Sequence, residues 1–342
     1  MSNPPFDQLF FSKTLDFLDV YLIKQAGRSR HTRKAYKVTI SQFYDYITAV
    51  KGISPLKFRL SDCGYSLVLG FSQYMQEELK YKPGTVNQKL AAIKSYVKYV
   101  SDSDISMVQV YLSVKKVPEL PVPKVQRPVM EKDALSSYLD APANTRIGNR
   151  DRMILILLFD TAIRVSELVA ITLGDVLLDN ESPVILIHGK GRKERSLLVS
   201  DSAAKHLKAY VNAYHKEETE PGKPLFYTII HGKTNPMSVR NVERIVKKYG
   251  DMIRADHPDM PDTTYPHLLR RSRATGLYRD GVPLEIVSTL LGHSNTETTR
   301  IYTSPSMDQL RSAMEKGNVS GNEEEPLWKG KEDELKKRFG LN

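Results

Sequence analysis

The stretch TAIRVSELVAIT, residues 161–172, places an arginine where the surrounding sequence is apolar. The apolar run MILILLFDTAI precedes Arg164, and Glu167 follows it three residues later. Residues three apart on a helix lie on the same face, so these two side chains can pair. A guanidinium in an apolar setting is costly unless it is paired or contacts a ligand. We therefore take Arg164 as a candidate site residue and Glu167 as its partner.

Three further stretches carry basic or nucleophilic side chains. A tyrosine hydroxyl among them has an ordinary pKa of about 10, so it can attack at neutral pH only if other groups stabilise the charge. The stretches are SPVILIHGKGRKERSLLVS (182–200) with Lys190, YPHLLRRSRATG (265–276) with His267 and Arg270, and LLGHSNTETTRIYT (290–303) with His293 and Tyr302.

Together these groups fit an attack on a phosphodiester. Two guanidinium forks, those of Arg164 and Arg270, can clamp the non-bridging oxygens and stabilise a pentacoordinate transition state. The imidazoles of His267 and His293 can hydrogen-bond the same phosphate or handle a proton. Each motif alone also has a purely structural interpretation, and only the combination indicates this chemistry.

The nucleophile and the acid complete the hypothesis. Tyr302 would attack the phosphorus and form a phosphotyrosine, and Lys190 would protonate the leaving alkoxide. Arginines can supply the charge neutralisation that metals otherwise provide, so we expect neither a metal nor another cofactor.

The composition is that of a globular protein with about two domains in its 342 residues. There is no apolar run near the roughly 18 residues of a membrane span, and the N-terminus lacks the pattern of a secretory signal. The single cysteine, Cys63, excludes an internal disulfide and fits a reducing cytosol. We therefore predict a cytoplasmic, nucleoid-associated protein.

The positive charge is concentrated near the N-terminus. Residues 1–127 contain 19 Lys and Arg against 10 Asp and Glu, whereas residues 128–342 contain 31 against 30. This asymmetry indicates either a polyanion-binding module or a solubilising surface, and charge alone does not separate the two.

The segment VPELPVPKVQRP, residues 117–128, contains four prolines and reads as a linker. It predicts an N-terminal domain over residues 1–116 and a second domain over residues 129–316. Residues 317–342 form a tail.

Before the linker, the pattern predicts four helices, near residues 6–25, 29–47, 65–80 and 82–100. Basic and polar side chains lie off the apolar stripes of the second and fourth of these helices. They are either solvated faces or contacts to DNA phosphates. The candidates for DNA contact in this domain are Arg33, Lys34, Lys37, Thr85, Lys89 and Lys94.

After the linker, the apolar runs of residues 184–187 and 197–199 flank a glycine-bounded basic turn, which predicts a β-hairpin. Lys190, Arg192 and Lys193 lie at its tip. The fold class is therefore mainly α with a small antiparallel sheet. Helices are expected near residues 131–140, 149–159, 202–215, 238–255, 267–279 and 283–291.

These motifs resemble those of the tyrosine recombinases, the phage integrase family, and are most similar to the Xer type over about residues 6–316. The matching strings are IRVSEL, GKGRKER, HLLR, LLGH and IYT. The resemblance implies a helical, SAM-like core-binding domain and a catalytic domain that form a C-shaped clamp on DNA, with Arg192 and Lys193 among the DNA contacts. It also implies a supporting role for Glu167 and a catalytic set of Arg164, Lys190 (rather than Lys193), His267, Arg270, His293 and Tyr302.

The implied activity is site-specific strand exchange through a 3′-phosphotyrosine and a Holliday junction, without metal or ATP. The implied partners are double-stranded DNA with inverted repeats and three further subunits, in a homotetramer or with a related recombinase. The alternatives are a type IB topoisomerase-like relaxation activity and a DNA-binding protein without catalysis. Chromosome-dimer resolution and mobility of a phage or transposon both remain open as the cellular role.

Two features stand apart from the family pattern. The family often has a histidine directly after the second arginine, where this chain has Arg271. The tail carries Trp328, Leu335 and Phe339, and the last two are four residues apart, as on one face of a short helix. Such a helix is marginal alone, so it either frays or docks, and in the family C-terminal segments often dock on a neighbouring subunit.

Overall fold

The computed structural model divides the chain into two compact units, Met1–Gln126 and Arg127–Asn342. The division falls inside the predicted linker, whose first residues pack on the N-terminal unit. The side chain of Val117 is buried, and the Asn87 amide donates a hydrogen bond of 2.9 Å to the Leu120 carbonyl. The structure describes residues 5–123, 127–179, 181–188, 194–216, 218, 220–292 and 330–340.

Four α-helices build most of the N-terminal unit. The segment predicted as a helix over residues 6–25 is instead two short 3₁₀ turns followed by a π-helix, Asp16–Gln25. The last α-helix of the unit was not predicted. The helices are α1 (Arg30–Asp45), α2 (Tyr65–Glu77), α3 (Pro83–Ser103) and α4 (Val108–Lys115).

The predicted apolar stripes form the core of this unit. In α1 and the π-helical turn that follows it, Ile40, Phe43 and Ile47 are buried, and the stripe of α3 from Val86 to Val100 is buried as well. Cys63 lies in the same core, where burial raises the pKa of its thiol.

The C-terminal unit is also mainly helical, as predicted, and its core surrounds the apolar run of one helix. That run provides Met153, Ile154, Leu155, Leu157 and Leu158, all buried. The helices are α5 (Lys132–Asp140), α6 (Arg146–Asp160), α7 (Val165–Leu168), α8 (Asp201–Tyr214), α9 (Val239–Ile253), α10 (Pro266–Arg279), α11 (Leu284–Leu291) and α12 (Glu332–Arg338).

A three-stranded antiparallel sheet contains the predicted hairpin. Strand β1 (Val176–Leu177) pairs with β2 (Val184–His188), and β2 pairs with β3 (Glu194–Leu198). In this register Arg195 lies opposite Ile187. The predicted antiparallel pairing of the two strands is therefore confirmed, and their sheet belongs to the C-terminal unit.

A second hairpin, β4 (Tyr227–Ile230) with β5 (Lys233–Pro236), was not predicted. Its two-residue turn is His231–Gly232, and both residues have positive φ, +49° and +73°. Such turns favour glycine at the second position, so the glycine was the available signal. Within the described residues, we find no helix that is long and apolar enough to cross a membrane.

Candidate active site

The predicted pair of Arg164 and Glu167 is present at the start of α7. The Glu167 carboxylate accepts the backbone N–H of Arg164 at 3.1 Å and its guanidinium at 3.0 Å. The first bond caps the helix, and the second fixes the direction of the arginine side chain. The Arg164 side chain is 41% exposed, so it remains accessible to a ligand.

A second arginine, which the sequence analysis did not select, holds the same carboxylate. Both terminal nitrogens of Arg195 donate to Glu167, at 3.0 and 2.9 Å. Burial alone would raise the pKa of Glu167, but the hydrogen bonds and charges of Arg195 and Arg164 together lower it. Glu167 is therefore ionised at neutral pH and bound to two cations.

Arg270, on α10, is almost completely buried, with 2% of its surface exposed. Its guanidinium donates to the carbonyl oxygens of Ala162 and Leu291, the latter at 2.6 Å. Arg164 donates to the next carbonyl after Leu291, that of Gly292, at 3.4 Å. The end of α11 and the segment before α7 thus bring together two arginines that are remote in sequence.

His267 lies on the first turn of α10, three residues before Arg270. The residue is accessible to solvent, yet partial desolvation and the charges of Arg270, Arg271 and Arg164 lower its pKa below the ordinary histidine value. The imidazole is therefore mainly neutral at pH 7, and a neutral imidazole can accept a proton as well as donate one.

Arg271, the departure from the family pattern, points into the protein. It is buried and donates to the carbonyl oxygen of Pro128 at 2.9 Å and to the Tyr265 hydroxyl at 3.2 Å. These contacts attach the first residues of the C-terminal unit to α10. The extra cation therefore has a structural role next to the site.

Part of the predicted site lies outside the described residues. Lys190, Arg192 and Lys193 fall in residues 189–193, and His293 and Tyr302 fall in residues 293–329. Where the structure does describe the chain, we find no group of three His, Cys, Asp or Glu side chains that could hold a metal ion.

The predicted DNA contacts on α1 differ in accessibility. Lys34 and Lys37 are exposed, whereas Arg33 is paired with Asp19 on the π-helix.

On α3, the predicted contacts are engaged within the unit. The Lys89 ammonium donates to the Gln42 side chain at 2.6 Å, and burial lowers its pKa. The Lys94 ammonium donates to the Val117 carbonyl at 2.6 Å, and Thr85 is half-buried. The exposed lysines of α1 are therefore the better placed of the two sets to meet a polyanion.

The helical N-terminal unit is followed by a mainly helical unit that carries a small sheet and two arginines converging on the end of α11. The model described as "Phage integrase family" matches residues 128–309, and the chain belongs to this family. It is a site-specific tyrosine recombinase similar to the Xer type.

Two relatives agree with this assignment, and a solved structure shares the fold. The chain is 31% identical to a tyrosine recombinase of Agathobacter rectalis, over 83% of this chain and 89% of the relative. It is 30% identical to the tyrosine recombinase XerC of Thermodesulfovibrio yellowstonii, over 88% and 94%. The XerH site-specific recombinase bound to palindromic difH substrate shares the fold, with a TM-score of 0.66, 18% identity, and 84% and 80% of the two chains covered.

Proposed function

We propose that Tyr302 is the nucleophile of this recombinase. Its hydroxyl attacks a phosphorus of the DNA backbone, which forms a 3′-phosphotyrosine and releases a 5′-hydroxyl. A 5′-hydroxyl from a partner duplex then attacks that linkage, rejoins the strand and frees the tyrosine. One ester bond forms as another breaks in each step, so the exchange needs no ATP.

Arg164 and Arg270 bind the non-bridging oxygens of the scissile phosphate in this proposal. The observation that carries it is the common anchoring of both guanidinium groups on the end of α11, at Leu291 and Gly292. Guanidinium groups fixed in advance stabilise the added charge of the pentacoordinate state without reorganising during the reaction. The neutral His267 beside them is suited to take the proton of the attacking hydroxyl.

The family motifs support the remaining assignments. Lys190, between two glycines in GKGRKER, protonates the leaving 5′-oxygen, and His293, after Gly292 in LLGH, hydrogen-bonds the phosphate. Arg192 and Lys193 contact the DNA backbone beside Lys190.

Substitution of Tyr302 by phenylalanine tests this assignment. A suicide substrate with a nick near the cleavage site traps the covalent adduct, which a denaturing gel resolves. We expect Tyr302→Phe to bind the duplex as the wild type does and to form no adduct. The control is Tyr65→Phe, a change at an exposed tyrosine of the N-terminal unit, which should form the adduct normally. An adduct that persists in Tyr302→Phe would mean that another residue attacks.

We further propose that four subunits assemble on two inverted-repeat sites through their C-terminal tails. Helix α12 buries none of its residues, and Phe339 beside it is 69% exposed. An open groove of about 580 Å³ lies on the C-terminal unit. Its lining mixes charged side chains such as Glu181 and Asp201 with apolar ones, and the apolar part suits Leu335, Phe339 and Trp328 of a neighbouring subunit; the apolar lining side chains include Ala162, Leu198, Ala274, Val287 and Leu291. The neighbour is a second copy of this chain or a related recombinase.

A further inference from the structure

We infer that Arg195 is a positioning residue, which holds the Arg164 guanidinium in place through Glu167. The inference rests on the proposed role of Arg164 at the scissile phosphate. Arg195 was not among the residues that the family motifs identified as catalytic or supporting.

The first support is the geometry at the carboxylate. Arg195 donates one hydrogen bond from each terminal nitrogen to the two oxygens of Glu167, at 3.0 and 2.9 Å. The oxygen that receives the first of these bonds, Oε1, also receives the Arg164 side chain at 3.0 Å. A two-point contact fixes the plane of a carboxylate as well as its position. The direction of the Arg164 side chain therefore depends on Arg195.

The second support is burial. The side chains of Glu167 and Arg195 are 14% and 27% exposed, so their ion pair is partly screened from water. Removing one partner of such a pair leaves the other charge poorly solvated, which is strongly unfavourable. Without Arg195, we expect Glu167 to move toward solvent, and its contact with Arg164 would then be lost.

The third support is the packing of Gly292 on the guanidinium. Gly292 ends α11 with a left-handed φ of +60°, and a Cβ built there would lie 2.8 Å from the Arg195 Nε and 2.9 Å from its Cζ. Its carbonyl oxygen accepts the Arg164 side chain. Arg195 therefore lies between Glu167 and the end of α11, and both of its neighbours bind Arg164.

The consequence concerns one step of the reaction. Arg164 is proposed to neutralise the charge on a non-bridging oxygen during cleavage. Because loss of Arg195 would displace Arg164, it should slow cleavage without lowering the affinity for the duplex. A side chain that contributed only to folding would lower stability and affinity as well.

The test compares Arg195→Gln with Arg195→Lys, Arg164→Ala and a matched control. The control is Arg254→Gln, because Arg254 is similarly exposed and its hydrogen bonds go to Asp251, Pro261 and Thr264 rather than to Glu167 or α11. Single-turnover adduct formation on the nicked substrate should fall about 10- to 100-fold in Arg195→Gln, the loss expected for hydrogen bonds to a charged group. Affinity for the duplex should be unchanged, and the control should cleave at the wild-type rate.

A substrate with a neutral methylphosphonate at the cleavage position separates positioning from folding. Since this linkage lacks the charge that Arg164 neutralises, the defect of Arg164→Ala should shrink on it. The defect of Arg195→Gln should shrink in parallel. Arg195→Lys keeps the positive charge but lacks the two-nitrogen guanidinium fork, so it should show a smaller defect of the same kind. If Arg195→Gln does not fold, Arg195→Lys takes its place in the comparison.

Two results would overturn the inference. One is a wild-type cleavage rate in the Arg195 variants, and the other is a defect that stays the same size on the neutral linkage while that of Arg164→Ala shrinks. If Arg164→Ala itself keeps its full defect on the neutral linkage, the proposed role of Arg164 is wrong instead.

Discussion

The imidazole of His188 lies between two carboxylates, with its Nε2 2.7 Å from an oxygen of Asp175 and its Nδ1 3.1 Å from an oxygen of Glu194. His188 ends β2 and Glu194 begins β3, so these contacts lie at the end of the strand pair next to residues 189–193. Residues 189–193, which include Lys190, connect the two strands along the chain. The contacts of His188 with Asp175 and Glu194, which we call the His188 clamp, therefore lie immediately before the segment that bears the proposed acid.

We predict that Asp175→Asn lowers the pKa of His188. The hydrogen bond from His188 to Asp175 is the largest cause that raises this pKa above the ordinary 6.5, and the hydrogen bond to Glu194 is the second largest. The clamp therefore stabilises the fold fully below pH 6.5 and loses its effect as the pH rises through the higher folded-state pKa. An NMR titration of the imidazole should show a larger decrease for Asp175→Asn than for Glu194→Gln. Unchanged titration in both variants would contradict the clamp.

We predict that the exposed lysines of α1 contribute to DNA affinity and that Lys89 does not. Lys34→Gln and Lys37→Gln should each reduce the slope of log affinity against log salt by about one, because each removes one phosphate contact. Lys89→Gln should leave the slope unchanged, since its ammonium is bonded to Gln42 and lies over the Tyr81 ring. Filter binding or anisotropy over a salt series measures the slopes.

The salt dependence of DNA affinity in the wild-type protein is the reference for these variants. With about 6–10 phosphate contacts, its affinity should fall by roughly three to five orders of magnitude between about 50 and 200 mM salt. If Lys89→Gln lowers the slope as much as Lys34→Gln does, the distinction between the hydrogen-bonded Lys89 and the exposed lysines of α1 is wrong.

We predict that Lys190, rather than Lys193, assists the leaving 5′-oxygen. A 5′-bridging phosphorothiolate has a sulfur leaving group that departs without protonation. It should therefore restore cleavage by Lys190→Ala to near the wild-type rate on the same substrate. Lys193→Ala is the matched control and should show no such rescue. Rescue of Lys193→Ala alone would reverse the assignment.

We predict that deletion of residues 318–342 leaves binding to a single site unchanged and weakens pairing of two sites. The reason is the exposure of α12 and Phe339, which favours docking on another subunit over packing within the chain. Mobility-shift assays with one and two sites measure the two steps, and Phe339→Ser should reproduce part of the defect. Normal recombination by the truncated protein would show that the tail is dispensable.

The sequence predicted most of the helical architecture because the apolar spacing of helices is local information. Ile40, Phe43 and Ile47 repeat at helical spacing, and all three are buried. The π-helix Asp16–Gln25 has the same kind of composition as an ordinary helix, and its wider hydrogen bonding depends on packing. The pairing of Arg164 with Glu167 was predictable for the same local reason.

The rest of the site depends on contacts that cross the sequence. Arg195 stands beside other basic residues in GRKER, and only the register of β3 shows that its side chain reaches Glu167. Lys89 and Lys94 of α3 lie off the apolar stripe, as predicted, but their acceptors, Gln42 and Val117, belong to other segments. Spacing along the chain does not reveal such acceptors.

The burial of Cys63 has a practical consequence for fluorescence measurements. Its side chain is inaccessible and its pKa is raised, so it supplies almost no reactive thiolate to a maleimide dye. A cysteine introduced at an exposed position, such as Ile105→Cys at 89% exposure, would then be labelled selectively in the otherwise native chain. Donor and acceptor dyes placed in this way on separate molecules would report the approach of two recombinase subunits in real time.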